Sequence, residues 1–254
     1  MHLCSCIQRL IDLLKLRRMP APSVSDIDGK LLDGLQFCSL VFQLFENIRQ
    51  TDEGKSRLRM RTTDTEKKLV EELLPITRYV QMKYGPGRYI SVKWLSGDQQ
   101  FDAEMHQSGW FVDHGRYPSV SHIEVTCVMH QNDYLMRELL DSNGFGFSVK
   151  NVRRDKKTRE ITSEPHVWSN CGFVDEFCPL VVDGIKKKAD KRYDAETVLI
   201  VACSMNFPYL PDEWNALIGK IGAGLPDHNF REIFVHDPVG DHVHSFYGPK
   251  TTAN

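Results

Sequence analysis

The sequence predicts a mixed α/β protein, with one central mixed sheet and helices packed against it. Three observations carry this expectation. "TVLIVACS" at 197–204 is a continuous apolar run of strand length, the pattern of a strand buried on both faces. "HIEVTCVM" at 122–129 alternates, with Ile123, Val125 and Cys127 on one side and Glu124 and Thr126 on the other. Segments with helical spacing lie before, between and after these strands, so the two element types interleave along the chain.

The chain has 254 residues, 41% hydrophobic and 26% charged, enough for one large closed core or one domain with a helical appendage. A net charge of -2 excludes little: a nucleic-acid binder need not be basic overall, but its charge should then be local. The seven cysteines show no CxxC spacing, which fits reduced cytosolic thiols better than a disulfide framework. Cys4 and Cys6 have no partner pair downstream at zinc-like spacing. In "MHLCSCIQRLIDLLKLRR" the basic residues follow the apolar run, unlike a secretory signal, and no run approaches the ~18 apolar residues of a membrane span. The expectation is a cytoplasmic protein without a membrane partner.

Taken in order, residues 5–17 have the spacing of an amphipathic helix, and "MPAPSVSDIDGK" is a loop. A second helix is expected at about 33–48, then a polar, basic linker in "RQTDEGKSRLRMRTTD". The domain boundary is placed there: 1–60 as an N-terminal helical extension, 61–254 as the α/β domain. Direct packing of the first 60 residues onto the main domain is the alternative. Thr63-Asp64-Thr65-Glu66 opens a third helix as a capping box, with Leu69, Leu73, Ile76 and Val80 on one arc and Pro75 as a kink or break. "YGPG" ends it. Strands follow at "RYISVKWLS", "QFDAEMHQ" and "HIEVTCVM". "QNDYLMRELLDSNG" is a helix closed by Gly144, and "FGFSVKNVRRDKKTREITSE" a hairpin. Residues 173–193 form one long helix, or two with a break near Pro179. After the 197–204 strand come the helix "PDEWNALIGKIGAG" and the strands "FREIFVHD" and "HVHSFYG", joined by "PVGD".

A carboxylate in an otherwise apolar strand is the informative feature. Consecutive strands usually pair, so Asp102 and Glu124 would converge at one place on the sheet. Carboxylate and carbonyl oxygens are what a hard cation such as Mg²⁺ requires. Thr126 would face the same pocket. Asp98, in "SGDQQ", is a rival acid that reads better as a turn residue.

With helix, hairpin carrying an Asp, strand carrying Glu-x-x, then helix, residues 63–240 resemble the PD-(D/E)XK nuclease superfamily. Asp102, Glu124 and Thr126 stand where its D…ExK signature would lie. The resemblance implies a restriction-endonuclease-like core: a four-stranded mixed sheet with a helix on each side. It also implies phosphodiester hydrolysis of DNA or RNA, with Mg²⁺ or Mn²⁺ held by Asp102 and Glu124. The chain departs from the pattern twice. Phe101, not Pro, precedes Asp102, and Thr126 stands in place of the usual lysine, which a hydroxyl cannot replace as a positive charge. Lys188 is the candidate replacement, since on a helix it shares a face with Ile185 and Ala189. The family's first helix often adds a glutamate. Glu66 lies within the apolar arc and Glu72 near its margin, so Glu66 is preferred, with half of a capping box as its competing role.

Lys186, Lys187, Lys188, Lys191 and Arg192, and also Arg153, Arg154, Lys156 and Lys157, read as solvated faces or as a phosphate-binding surface. "HDPVGDHVH" is explained by turn and strand chemistry without a zinc ion. His122 and His130 flank the key strand as structural or rim residues. Cys127 reads as a small buried hydrophobe. Beside the nuclease expectation stand two others: a catalytically inactive module of this fold that binds nucleic acid or protein, and an interaction domain docking through its first 50 residues.

Overall fold

The computed structural model describes residues 21–168, 171–205 and 209–248. Within them seven strands form one mixed sheet. Its order is β1 (Leu31–Asp33), β2 (Tyr89–Trp94), β3 (Ala103–Ser108), β4 (Val120–Met129), β7 (Thr197–Ser204), β8 (Glu232–His236) and β9 (Val243–Tyr247). The first four pair antiparallel with one another, β4, β7 and β8 run parallel, and β9 returns antiparallel. The predicted hairpin is present as β5 (Val152–Arg154) and β6 (Ile161–Ser163), outside the main sheet. β7 lies near the sheet centre and is buried from Thr197 to Cys203, as its continuous apolar run requires.

Seven longer helices of the described chain, α1 (Gly34–Arg49), α2 (Asp52–Met60), α3, α4 (Trp110–Asp113), α5 (Asp133–Asn143), α6 (Gly172–Ala189) and α7 (Pro211–Gly224), are accompanied by short 3-10 turns at Val24–Asp26 and Val149–Asn151. α3 has three contiguous parts, α-helical at Asp64–Lys68, π-helical at Leu69–Leu73 and α-helical again at Leu74–Lys83. Pro75 neither breaks nor ends it. A proline brings no N–H to the turn before it, and the wide turn closes instead through the Leu74 N–H on the Leu69 carbonyl. The Glu71 carbonyl accepts from the Cys127 thiol at 3.5 Å. Likewise α6 runs through Pro179 as one helix, which settles the choice between one helix and two.

Two cores lie on the two faces. On one, Ile123, Val125, Val198, Ile200 and Phe234 pack under α1 and α3, against Phe37, Val41, Leu69, Leu73 and Ile76. On the other, Leu199, Val201, Ile233 and Val235 pack under α6 and α7, against Val181, Ile185, Leu217 and Ile221. The alternation of each strand decides which face each residue serves.

The structure corrects the expected linker after residue 50. Thr51 Oγ1 accepts from the Gly54 amide at 2.9 Å, Asp52 and Glu53 occupy the first turn, Arg57 and Arg59 the last, and Arg61 closes α2 in the left-handed region at φ 53°. The helix is held by its caps and end charges, with little apolar periodicity to reveal it. The boundary near residue 60 falls inside one core. β1 pairs with β2, and Ile27, Leu32 and Phe37 are buried together with Leu69 and Leu73. The described residues 21–60 therefore pack directly onto the sheet. The predicted helix at 5–17, with Cys4 and Cys6, lies outside the described residues. The five described cysteines are free. Among the described residues no helix is long and apolar enough to cross a membrane.

Candidate active site

β3 pairs with β4 only as far as Ala103 opposite Ile123. One rung further, Asp102 and Glu124 stand opposite each other. Asp102 precedes β3 and is not part of it, but its backbone keeps contact: its amide donates to the Ile123 carbonyl at 2.9 Å and its carbonyl accepts from Leu95 at 3.0 Å. Its side chain then does what a strand backbone would do. Oδ2 accepts from the Val125 amide at 2.7 Å, so a carboxylate oxygen continues the β3–β4 ladder.

Glu124 is buried on the α6 face of β4. Lys188, near the end of α6, forms an ion pair with Glu124 Oε1 and donates a hydrogen bond to it. Lys188, the candidate for the missing lysine, thus lies against Glu124. Tyr193, just past α6, lies beside the same carboxylate, and burial and Glu124 together push its hydroxyl up. Thr126, two residues along β4, shares the Glu124 face by alternation.

Glu66 is not part of this group. It is fully buried, but its carboxylate accepts from the Thr63 amide at 3.1 Å, forms the capping-box hydrogen bond with the Thr63 hydroxyl, and is paired with Arg57. Against the upward pull of burial, these contacts together hold its pKa below the usual range. The competing capping role is the one observed. The helix acid whose charge is felt at the site is Glu72. Trp94 Nε1 donates to its Oε2 at 3.0 Å, and burial raises its pKa, with Glu71 and Glu124 adding to the rise. Glu66 is buried as its arc predicts, but it is used by the cap.

The electrostatics follow from this crowding. Burial, with Glu124 and Glu72 adding to it, raises the Asp102 pKa to about 7, while the Val125 amide and Lys188 pull the other way. Asp102 therefore changes charge near neutral pH. Its folded pKa lies above its unfolded value of about 3.9, so the folded state binds the extra proton between about pH 4 and pH 7 and stability is lost across that interval as pH rises. Asp102→Asn keeps an acceptor for Val125 and removes the charge. It is expected to raise stability over wild type by about 2–4 kcal/mol at pH 8 and by little at pH 4. Paired denaturant titrations at the two pH values check this, and a pH-independent difference would refute the assignment.

The flanking histidines are structurally engaged. His122 stacks on Phe101 with centroids 4.1 Å apart, and His130 Nδ1 accepts from the Asn132 amide at 3.1 Å. The "HDPVGDHVH" stretch is a turn: Asp237 accepts from the Val239 and Gly240 amides, and His242 lies over Trp214 with its Nε2 at 2.8 Å from the Tyr209 carbonyl. The hairpin's Arg154 is paired with Glu138, and Lys150 with Glu176 near the start of α6. Ten helical residues, about 15 Å, separate Glu176 from the lysines at 186–188. Two oxygen donors, Asp102 and Glu124, suit a hard divalent cation in kind. Among the described residues no three His, Cys, Asp or Glu side chains converge closely enough to hold one on their own. No family model, curated protein or solved structure matches the chain.

Proposed function

We propose that the chain is a metal-dependent nuclease that hydrolyses phosphodiester bonds of DNA or RNA at Asp102 and Glu124. The carrying observation is the juxtaposition of these acids across the open end of the β3–β4 ladder, with Lys188 delivered to them from α6. Strands β2, β3, β4 and β7, in that order with β4 and β7 parallel, support the resemblance to a restriction-endonuclease-like core. Asp102 and Glu124 would hold Mg²⁺ or Mn²⁺, with water and a backbone carbonyl completing the shell, and the ion when bound would activate water and stabilise charge on the phosphate. Asp102 is positioned by the Val125 amide, so it presents its remaining oxygen without rotamer freedom. Lys188 supplies the positive charge that Thr126 cannot. Glu72 adds negative potential from α3 and so favours cation entry. The free thiols accord with a cytoplasmic location.

A second reading has its own support. Lys188 already compensates Glu124, and the ligand set is incomplete without water or backbone. This favours a catalytically inactive module of the same architecture that binds nucleic acid or protein. Cleavage of plasmid and of labelled RNA with Mg²⁺ or Mn²⁺ separates the two. The nuclease reading expects turnover that falls at least 100-fold in Asp102→Ala and in Glu124→Ala. Equal turnover in wild type and both variants, or no saturable Mn²⁺ binding by calorimetry, would sink it.

A further inference from the structure

A cavity of about 520 Å³ opens on the α1–α3 side of the sheet, away from the face that buries Glu124. It lies at the carboxyl ends of β4, β7 and β8, beside Cys127, Ser204 and His236. In sheets with parallel strands this is where ligands commonly enter. Its volume is that of a small-molecule site. Leu58, Val70 and Leu74 give it an apolar wall.

Its polar lining carries four arginines. Arg59, Arg61, Arg78 and Arg137 all reach it, against Asp237 and Asp241. Each arginine has one carboxylate partner: Asp141 at 2.9 Å, Glu71 at 2.5 Å, Asp241 at 3.0 Å, and Asp133, respectively. A guanidinium carries five N–H donors, so one carboxylate leaves others over. Here the surplus is buried. Arg61 Nε and Arg137 Nη1 have no hydrogen-bond partner, and neither has either ring nitrogen of His236. The Arg61 side chain is 10% exposed, Arg137 is 9% exposed and His236 is 2% exposed. Buried polar groups are nearly always satisfied, and Arg61, Arg137 and His236 keep unused hydrogen-bonding capacity where they line the cavity, as Asp133 Oδ2 does beside Arg137. Burial lowers the Arg137 pKa, and repulsion from Arg61 close by lowers it further. Burial and Arg78 hold His236 down to about 4, so it is a neutral donor and acceptor at pH 7.

We propose that this cavity is a binding site for a phosphoryl group, seated between Arg61 and Arg137. The two free donors belong to different guanidinium groups. A planar carboxylate is matched by a single guanidinium fork, whereas a tetrahedral phosphate accepts from diverging directions. His236 and Arg78 offer polar contacts to the same ligand, and the apolar wall suits the body of a phosphomonoester. The site is separate from the proposed nuclease centre and does not depend on it.

The test is calorimetry on the full chain in EDTA, so that no metal site contributes. The probes are inorganic phosphate, phenyl phosphate and phenol. Saturable binding of both phosphates and none of phenol is expected, with Arg61→Gln and Arg137→Gln each weakening it at least tenfold. Phenyl phosphate binding ten times tighter than phosphate would identify a phosphomonoester as the ligand; equal affinities would identify free phosphate. Arg78→Gln, at a more exposed position, serves if the buried variants do not fold, and is expected to weaken binding severalfold. Absence of saturable phosphate and phenyl phosphate binding to wild type overturns the site. So does unchanged affinity in the folded arginine variants, or phenol binding as tightly as phenyl phosphate.

Discussion

Lys188→Met is expected to destabilise the metal-free protein by about 3 kcal/mol near pH 8, the lower end of the cost of removing one member of a buried ion pair. The physical reason is the company Glu124 keeps. Its carboxylate is buried, faces Asp102 one rung away, and has Lys188 as its compensating charge. Without that ammonium the two acids are left to repel, and Asp102 loses one of the two influences that pull its pKa down. The penalty shrinks as pH falls below 7, because a proton on Asp102 relieves the repulsion. Glu124→Gln in the same chain removes the orphaned charge, so the double variant is expected to recover most of the loss. A double-mutant cycle by urea denaturation at pH 8 and pH 5 measures the coupling. A cycle that closes to within about 0.3 kcal/mol at both pH values would show that the pair is not coupled.

Phe37→Ala is expected to cost about 3–5 kcal/mol, the range for emptying a buried phenylalanine site. Phe37 is fully buried and packs in the core that also holds Leu69, Ile76 and Val92. In a chain of this size the melting temperature should fall by roughly 10 °C. The more telling outcome is the shape of the transition. One core across residue 60 predicts a single cooperative melt that moves as a whole. A variant whose first transition shifts while a second stays in place would show that the segment before residue 60 folds independently.

The main strands were legible because each carries its own signature. Seven buried residues in β7 need no partner to reveal a central strand, and the alternation in β4 assigns Ile123 and Val125 to one core from the pattern alone. α2 was hidden because its evidence is a threonine cap, end charges and a left-handed arginine, not periodicity. β1 was missed because three residues, one of them buried, are too short to show alternation. At the site, Asp102, Glu124 and Lys188 followed from strand order and helical spacing. Glu66 is taken by its capping box and Arg57, which burial alone could not distinguish from a site role. The arginine cavity drew on residues from α2 to the turn after β8, and no local pattern unites positions that far apart in the chain.

The bond from Asp102 to the Val125 amide gives this acid a double duty. It is the last tooth of a zipper as well as a titrating charge beside Glu124. Anything that draws its oxygen elsewhere undoes a fastening between two neighbouring strands. A visitor that takes only the other oxygen leaves that fastening closed.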